Sequence, residues 1–203
     1  MKILLAFGAA ALAALSTPAL LPSVQGVRQE PAQPDPAEML KLFAKYTTVG
    51  EEHRLLERFI GEWDAQSSMI MGDQRSTTKG SATFRWKVEG RWLESEWRGE
   101  MMGMPVVSHG WLGYDKFKMS YVMTSITSLD TAMNEAEGDL TPDGKALVMY
   151  GTLDEYLSGE HDKMVKYVYR FVSADEFVFE VHDLPIGEVN TQVMEFRFTR
   201  KKG

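Results

Sequence analysis

Cysteine is absent from the 203 residues. That excludes disulfides, thiolate zinc sites, iron–sulfur clusters, cysteine nucleophiles and lipid attachment through a thiol. An excess of positive charge is also missing: 22 Lys and Arg stand against 29 Asp and Glu, a net charge of -7. Such a chain, without a basic block, repels a phosphate backbone, so no nucleic acid is expected as a partner. There is no Gly-rich phosphate loop, no Gly-x-Ser-x-Gly elbow and no His-Glu-x-x-His pair. Those gaps remove a phosphate cradle, a nucleophile elbow and a helical zinc-protease site. Nothing in the pattern asks for a cofactor. What is present, 44% hydrophobic and 25% charged residues, is the ordinary composition of one folded domain.

Lys2 precedes an uncharged apolar run from Ile3 to Leu15. The run is shorter than the about 20 residues a bilayer span needs. A positive start, a short apolar core and small residues after it read as a secretory signal. Ala14-Leu15-Ser16 and Val24-Gln25-Gly26 both fit a cleavage point. The other reading is an uncleaved anchor continued through Leu20 and Leu21, but Pro18 and Pro22 interrupt such a helix. The expectation is a signal over 1–26 and an exported protein, periplasmic or secreted, with no stable membrane span after processing. Removal of 1–26 takes away Lys2 and moves the charge from -7 to -8. Pro31, Pro34 and Pro36 make 27–36 an extended tether. One domain is expected over 37–203.

Met39, Leu40, Leu42, Phe43 and Tyr46 recur at helical spacing. Thr48-Val49-Gly50-Glu51 has the form of a capping box, which predicts a second helix carrying Leu55, Leu56 and Phe59 and ending at Gly61. From Glu62 the period becomes two. Ten strands are predicted: 62–71, 76–88, 91–101, 105–114, 117–128, 131–140, 146–156, 163–171, 176–183 and 188–200. Turn residues divide them, among them Gly72-Asp73, Met102-Gly103, Thr141-Pro142-Asp143-Gly144 and Pro185-Ile186-Gly187. No helical stretch lies between strands, which rules out parallel crossovers and leaves an antiparallel meander. The predicted fold is mainly β, an up-and-down β-barrel of about ten strands behind two short helices, because closure removes the exposed edges. A two-sheet sandwich is the alternative.

Several stretches then point to a family. Gly61-Glu62-Trp63, Gly90-Arg91-Trp92-Leu93, Met101-Met102-Gly103-Met104-Pro105, Gly113-Tyr114-Asp115 and Met194 to Arg200 occur in order, with Gly151-Thr152 and Ser158-Gly159 between them. In these the chain resembles the bacterial domain-of-unknown-function family 1579 from about His53 to Lys202. The resemblance implies a lipocalin-like barrel of the calycin type, often exported. It carries no catalytic residue, because the family's function is not established.

Candidate site residues follow from the barrel expectation. A barrel of more than eight strands has an interior that side chains need not fill. Thirteen methionines, five tryptophans and seven tyrosines suit an apolar hollow with a few polar handles. Trp63, Trp86, Trp97 and Met123 are the candidate apolar lining, and Tyr121 and Tyr169 the candidate polar contacts. His182 and His109 lie in predicted strands and are weighed as residues that converge across the barrel; His182 joins the candidate binding set. Glu94, Glu96 and Arg98 share a strand face with Trp92, opposite Leu93 and Trp97. Two acids so spaced suit acid–base work, but a solvated outer face is the default. Three functions remain in view: a carrier of a small apolar molecule, a filled barrel that binds a partner, and a barrel enzyme using Glu or His.

Overall fold

The structure is a computed structural model that describes residues 35–155, 158–184 and 191–202. The signal over 1–26, most of the 27–36 tether and the Pro185-Ile186-Gly187 turn lie outside the described residues. No helix among the described residues is long and apolar enough to cross a membrane.

Helix α1 covers Pro36–Thr47. Asp35 caps it by accepting from the Ala37 N–H at 3.1 Å, and proline sits at the first helical position, where its missing N–H costs nothing. The expected apolar residues are there, yet none of the helix is buried. Tyr46 alone finds a ring, stacking on Phe117 at 4.0 Å. The capping box predicted at Thr48 does not form. Thr48 closes α1 instead, its N–H donating to the Ala44 carbonyl. Glu51 is the first residue of helix α2, Glu51–Arg54, too early to reach back to the cap. His53 holds that place, and its Nδ1 accepts from the Gly50 N–H at 3.2 Å. The chain then tightens into a 3-10 turn, Leu55–Phe59.

Ten strands follow: β1 Gly61–Met71, β2 Gln74–Val88, β3 Trp92–Met101, β4 Met104–Asp115, β5 Ser120–Thr127, β6 Met133–Leu140, β7 Ala146–Glu155, β8 Glu160–Ser173, β9 Glu176–Asp183 and β10 Thr191–Arg200. Each pairs antiparallel with its sequence neighbours, and β1 pairs with β10, so the meander closes into a barrel. The seam runs from Trp63 opposite Arg200 to Met69 opposite Met194. Closure leaves no row of unpaired backbone groups, which decides against the sandwich. The β3–β4 turn uses Met102 at φ 53 and Gly103 at φ 77. Two left-handed residues in a two-residue hairpin loop make a type I′ turn, whose twist matches the strands.

The 3-10 turn plugs one end of the barrel. Leu56 and Phe59 are fully buried. Phe59 meets Phe84, Tyr169, Phe171 and Phe177 at centroid distances of 5.1–5.9 Å. Phe177 stacks in turn on Phe198 and meets Trp63 edge-on. Each such side chain contributes about 1.5–3 kcal/mol by leaving water. Arg200 covers the plug from outside. Its guanidinium lies 4.1 Å from the Trp63 ring and donates to the Ile60 carbonyl at 2.6 Å. Alternation along each strand thus builds one interior, and this end of it is solid.

Candidate functional site

The other end of the interior is hollow. A cavity of about 510 Å³ runs from mid-barrel to the β1–β2 and β3–β4 turns, where Met71 and Met102 are exposed. That volume falls in the range of small-molecule pockets. Its deeper wall is apolar and aromatic: Trp97, Met123, Tyr167, Tyr169, Phe179 and Phe196. Met69, Met71, Met101, Met102 and Met194 line the part nearer the rim. Unbranched thioether side chains adapt to varied shapes, so this rim is the compliant part of the wall. Of the strand methionines, Met149 is instead core and Met164 faces solvent.

Trp97 lies flat because two glycines make room for it. A Cβ on Gly99 would come within 2.4 Å of the indole Cζ2, and one on Gly80 within 3.2 Å of Nε1. Among the described residues the Trp97 Nε1 is buried there without a hydrogen-bond partner. Phe196 closes on the same ring edge-to-face at 5.4 Å. On the far wall Tyr167 stacks parallel to Phe179 at 5.8 Å, and Tyr169 meets Phe179 at 4.6 Å. Among the described residues the Tyr169 hydroxyl has only the Met123 sulfur, at 3.8 Å. Burial pushes the Tyr167 hydroxyl up to about 12 and raises Tyr169 as well. Both phenols therefore keep their protons at neutral pH.

Charge is confined to the mouth. Lys163 and Asp183 pair there at 2.9 Å, and that bond raises the lysine's pKa. Asp130 and Glu155 lie at the same rim. Among the described residues no group of three or more His, Asp or Glu is placed to hold a metal ion.

The structure brings three of the seven sequence candidates, Trp97, Met123 and Tyr169, to the cavity wall. Trp63, Trp86 and Tyr121 take the inner side of their strands but sit at the plugged end. Trp63 donates to the Phe59 carbonyl, Trp86 packs on the core, and the Tyr121 hydroxyl donates to the Glu52 carbonyl at 2.9 Å. His182 is off the cavity altogether. It follows Val181, which faces inward, so it faces outward and meets Glu180 at 3.1 Å. His109 and His182 do not converge: β4 and β9 stand five places apart in a ring of ten, on opposite walls. Glu94 and Glu96 form the outer face that was the default. Glu94 accepts from Arg85 and Lys87, and Glu96 from Arg98. Those cations hold the Glu94 carboxyl below its ordinary pKa, the Lys87 bond first and the Arg85 bond next. Arg170 also points outward, to Glu180. Sequence reading missed Tyr167, Phe179 and the glycine niche. The alternation of Tyr167 with Tyr169 was the available signal for the first.

Comparison with known proteins agrees with this architecture. The crystal structure of Rv2717c from M. tuberculosis superimposes with a TM-score of 0.54 at 12% identity, over 76% of this chain and 100% of that one. The S-type phycobiliprotein lyase CPES from Guillardia theta gives a TM-score of 0.51 at 13% identity, over 74% of this chain and 92% of that one. At such identities the likeness is one of fold alone. No curated protein matches the sequence. Residues 48–200, from the end of α1 through the last strand, match the family described as Protein of unknown function (DUF1579), and the chain belongs to that family.

Proposed function

We propose that this protein is an exported carrier that takes a small, mainly apolar molecule into the open half of its barrel. The observation that carries the reading is the one-ended hollow of about 510 Å³, walled by Trp97, Met123, Phe179 and Phe196 and rimmed by methionines. An apolar pocket with a few polar groups is the usual form of a ligand site. The solid half supplies rigidity, so occupying the other half does not have to order the barrel. Export rests on the Lys2 to Leu15 pattern of a secretory signal. The phycobiliprotein lyase shares the fold, and its chemistry does not transfer with it.

Titration with the neutral probe N-phenyl-1-naphthylamine tests the reading. Saturable fluorescence at one site per chain is expected. Ser125→Trp, which puts a large ring into the cavity, abolishes it in a variant that still melts cooperatively. No saturable uptake by the wild type, or uptake unchanged in Ser125→Trp, overturns the carrier. Mass measurement of the chain recovered from outside the cytoplasm tests export; an unprocessed amino terminus inside the cell counts against it.

A further inference from the structure

We propose that the cavity selects neutral molecules bearing a carbonyl-type hydrogen-bond acceptor, read by the hydroxyls of Tyr167 and Tyr169. This rests on the carrier reading and adds the chemistry of the cargo. The two tyrosines stand two residues apart on the inner side of β8, and both line the hollow. Tyr167 lines the hollow, and among the described residues its hydroxyl has no hydrogen-bond partner and is not sealed away from the cavity. Tyr169 has only a thioether, a weak acceptor, at 3.8 Å. Both hydroxyls face the space a ligand would fill, where an acceptor on the ligand can satisfy them. Contacts with Phe179 hold both rings in place, so neither is free to turn back toward the backbone. These are donors held ready on a rigid wall.

The direction of the bond follows from phenol chemistry. The ring draws on the oxygen lone pairs, which makes a phenol a better donor than acceptor, and burial keeps the proton on both hydroxyls. A carbonyl oxygen offers two lone pairs to meet them. Two other inward hydroxyls are already used: Ser95 donates to the Gly110 carbonyl and Ser108 to that of Ile126. Ser125 and Asn134 stand opposite each other in the β5–β6 register, nearer the mouth than the two phenols.

An ionised head group is not served. Among the described residues the one cation in the lining is Lys163, and Asp183 already holds it. At the mouth the acids Asp130, Asp154, Glu155 and Asp183 outnumber the one base, Lys163, which disfavours an incoming carboxylate, and the apolar depth penalises a bare charge. A pure hydrocarbon leaves the phenols empty. A neutral ketone, ester or quinone satisfies them.

The test is displacement of N-phenyl-1-naphthylamine at pH 7 by four compounds of one skeleton: benzophenone, diphenylmethane, benzhydrol and diphenylacetate. In the wild type benzophenone is expected to bind about five- to tenfold tighter than diphenylmethane, the scale of one hydrogen bond. Benzhydrol falls between them, and diphenylacetate is weakest. The double variant Tyr167→Phe/Tyr169→Phe keeps ring shape; in it the ketone preference falls to parity while diphenylmethane binds as before. Each single Phe variant gives an intermediate preference. Equal binding of ketone and hydrocarbon by the wild type, a preference that survives in the double variant, or diphenylacetate binding as tightly as the ketone overturns the assignment. Those results leave the carrier standing. Failure of the probe itself to bind removes both.

Discussion

Trp63 donates its indole N–H to the backbone carbonyl of Phe59 at 2.8 Å, tying the first strand to the turn that plugs the barrel. Plug and wall are thereby one unit. Trp63→Phe keeps an apolar ring but leaves that buried carbonyl unpaired and weakens the stacking of Arg200. A loss of about 1–3 kcal/mol in urea unfolding is expected, the cost of an unsatisfied buried group. Probe affinity at the other end stays unchanged. A matching drop in affinity would show that the two halves are not independent.

Trp97 presents the opposite case, a buried indole whose N–H is unpaired. Trp97→Phe removes the unpaired donor along with some packing, so its net cost should stay within about 1 kcal/mol. Trp97→Ala leaves a large void and costs about 3–5 kcal/mol. Thermal melts of both variants check the contrast. Gly99→Ala should behave like a packing error, because its new methyl meets the indole at 2.4 Å.

His53 gives the fold a pH dependence. Burial foremost, and Lys116 next, lower its pKa below 6.5, against an opposing pull from Glu52. Its Nδ1 must also stay unprotonated to accept from Gly50. Above pH 6.5 the imidazole is neutral in both states, and the full stability is present. Below it the unfolded chain takes up a proton that the folded chain refuses, so stability is lost as pH falls toward the folded pKa. Urea midpoints from pH 7.5 to 5 should decline, and His53→Gln should flatten that part of the slope. An equal slope in the variant would assign the effect elsewhere.

Met102 holds a left-handed backbone that glycine or asparagine adopts more readily, with φ 53. Met102→Asn should raise stability by about 0.5–1 kcal/mol, because asparagine is favoured in a type I′ turn. The same change removes a thioether from the rim, so probe uptake should weaken modestly. Denaturation and titration on one preparation separate the two effects.

Much of this molecule was legible because a strand's period reveals which side a residue faces. Leu93 and Trp97 against Glu94 and Glu96 were read correctly, and the hairpin turns placed most strand ends within a few residues. Height along the barrel axis was not legible. Trp63, Trp86 and Tyr121 face inward as expected, but which end the 3-10 turn fills depends on packing among Phe59, Phe84 and Phe177, residues far apart in sequence. His182 shows the reverse error. The alternation of Phe177, Phe179 and Val181 already places it outside, and the idea that it converges with His109 overrode the count. At Thr48 the local motif was sound, but the backbone left α1 in an extended conformation, with ψ 130, and the cap passed to Gly50 and His53.

Among the described residues the plug fills the foot of the barrel, and the hollow reaches the exposed methionines at the other end. On the carrier reading, a molecule that enters past Met71 and Met102 leaves past them too, so dwell time is governed at the threshold rather than in the depths. Substitutions among the flexible sulfur-bearing side chains of that threshold should change how fast cargo is exchanged, while those around Phe179 change which cargo is kept.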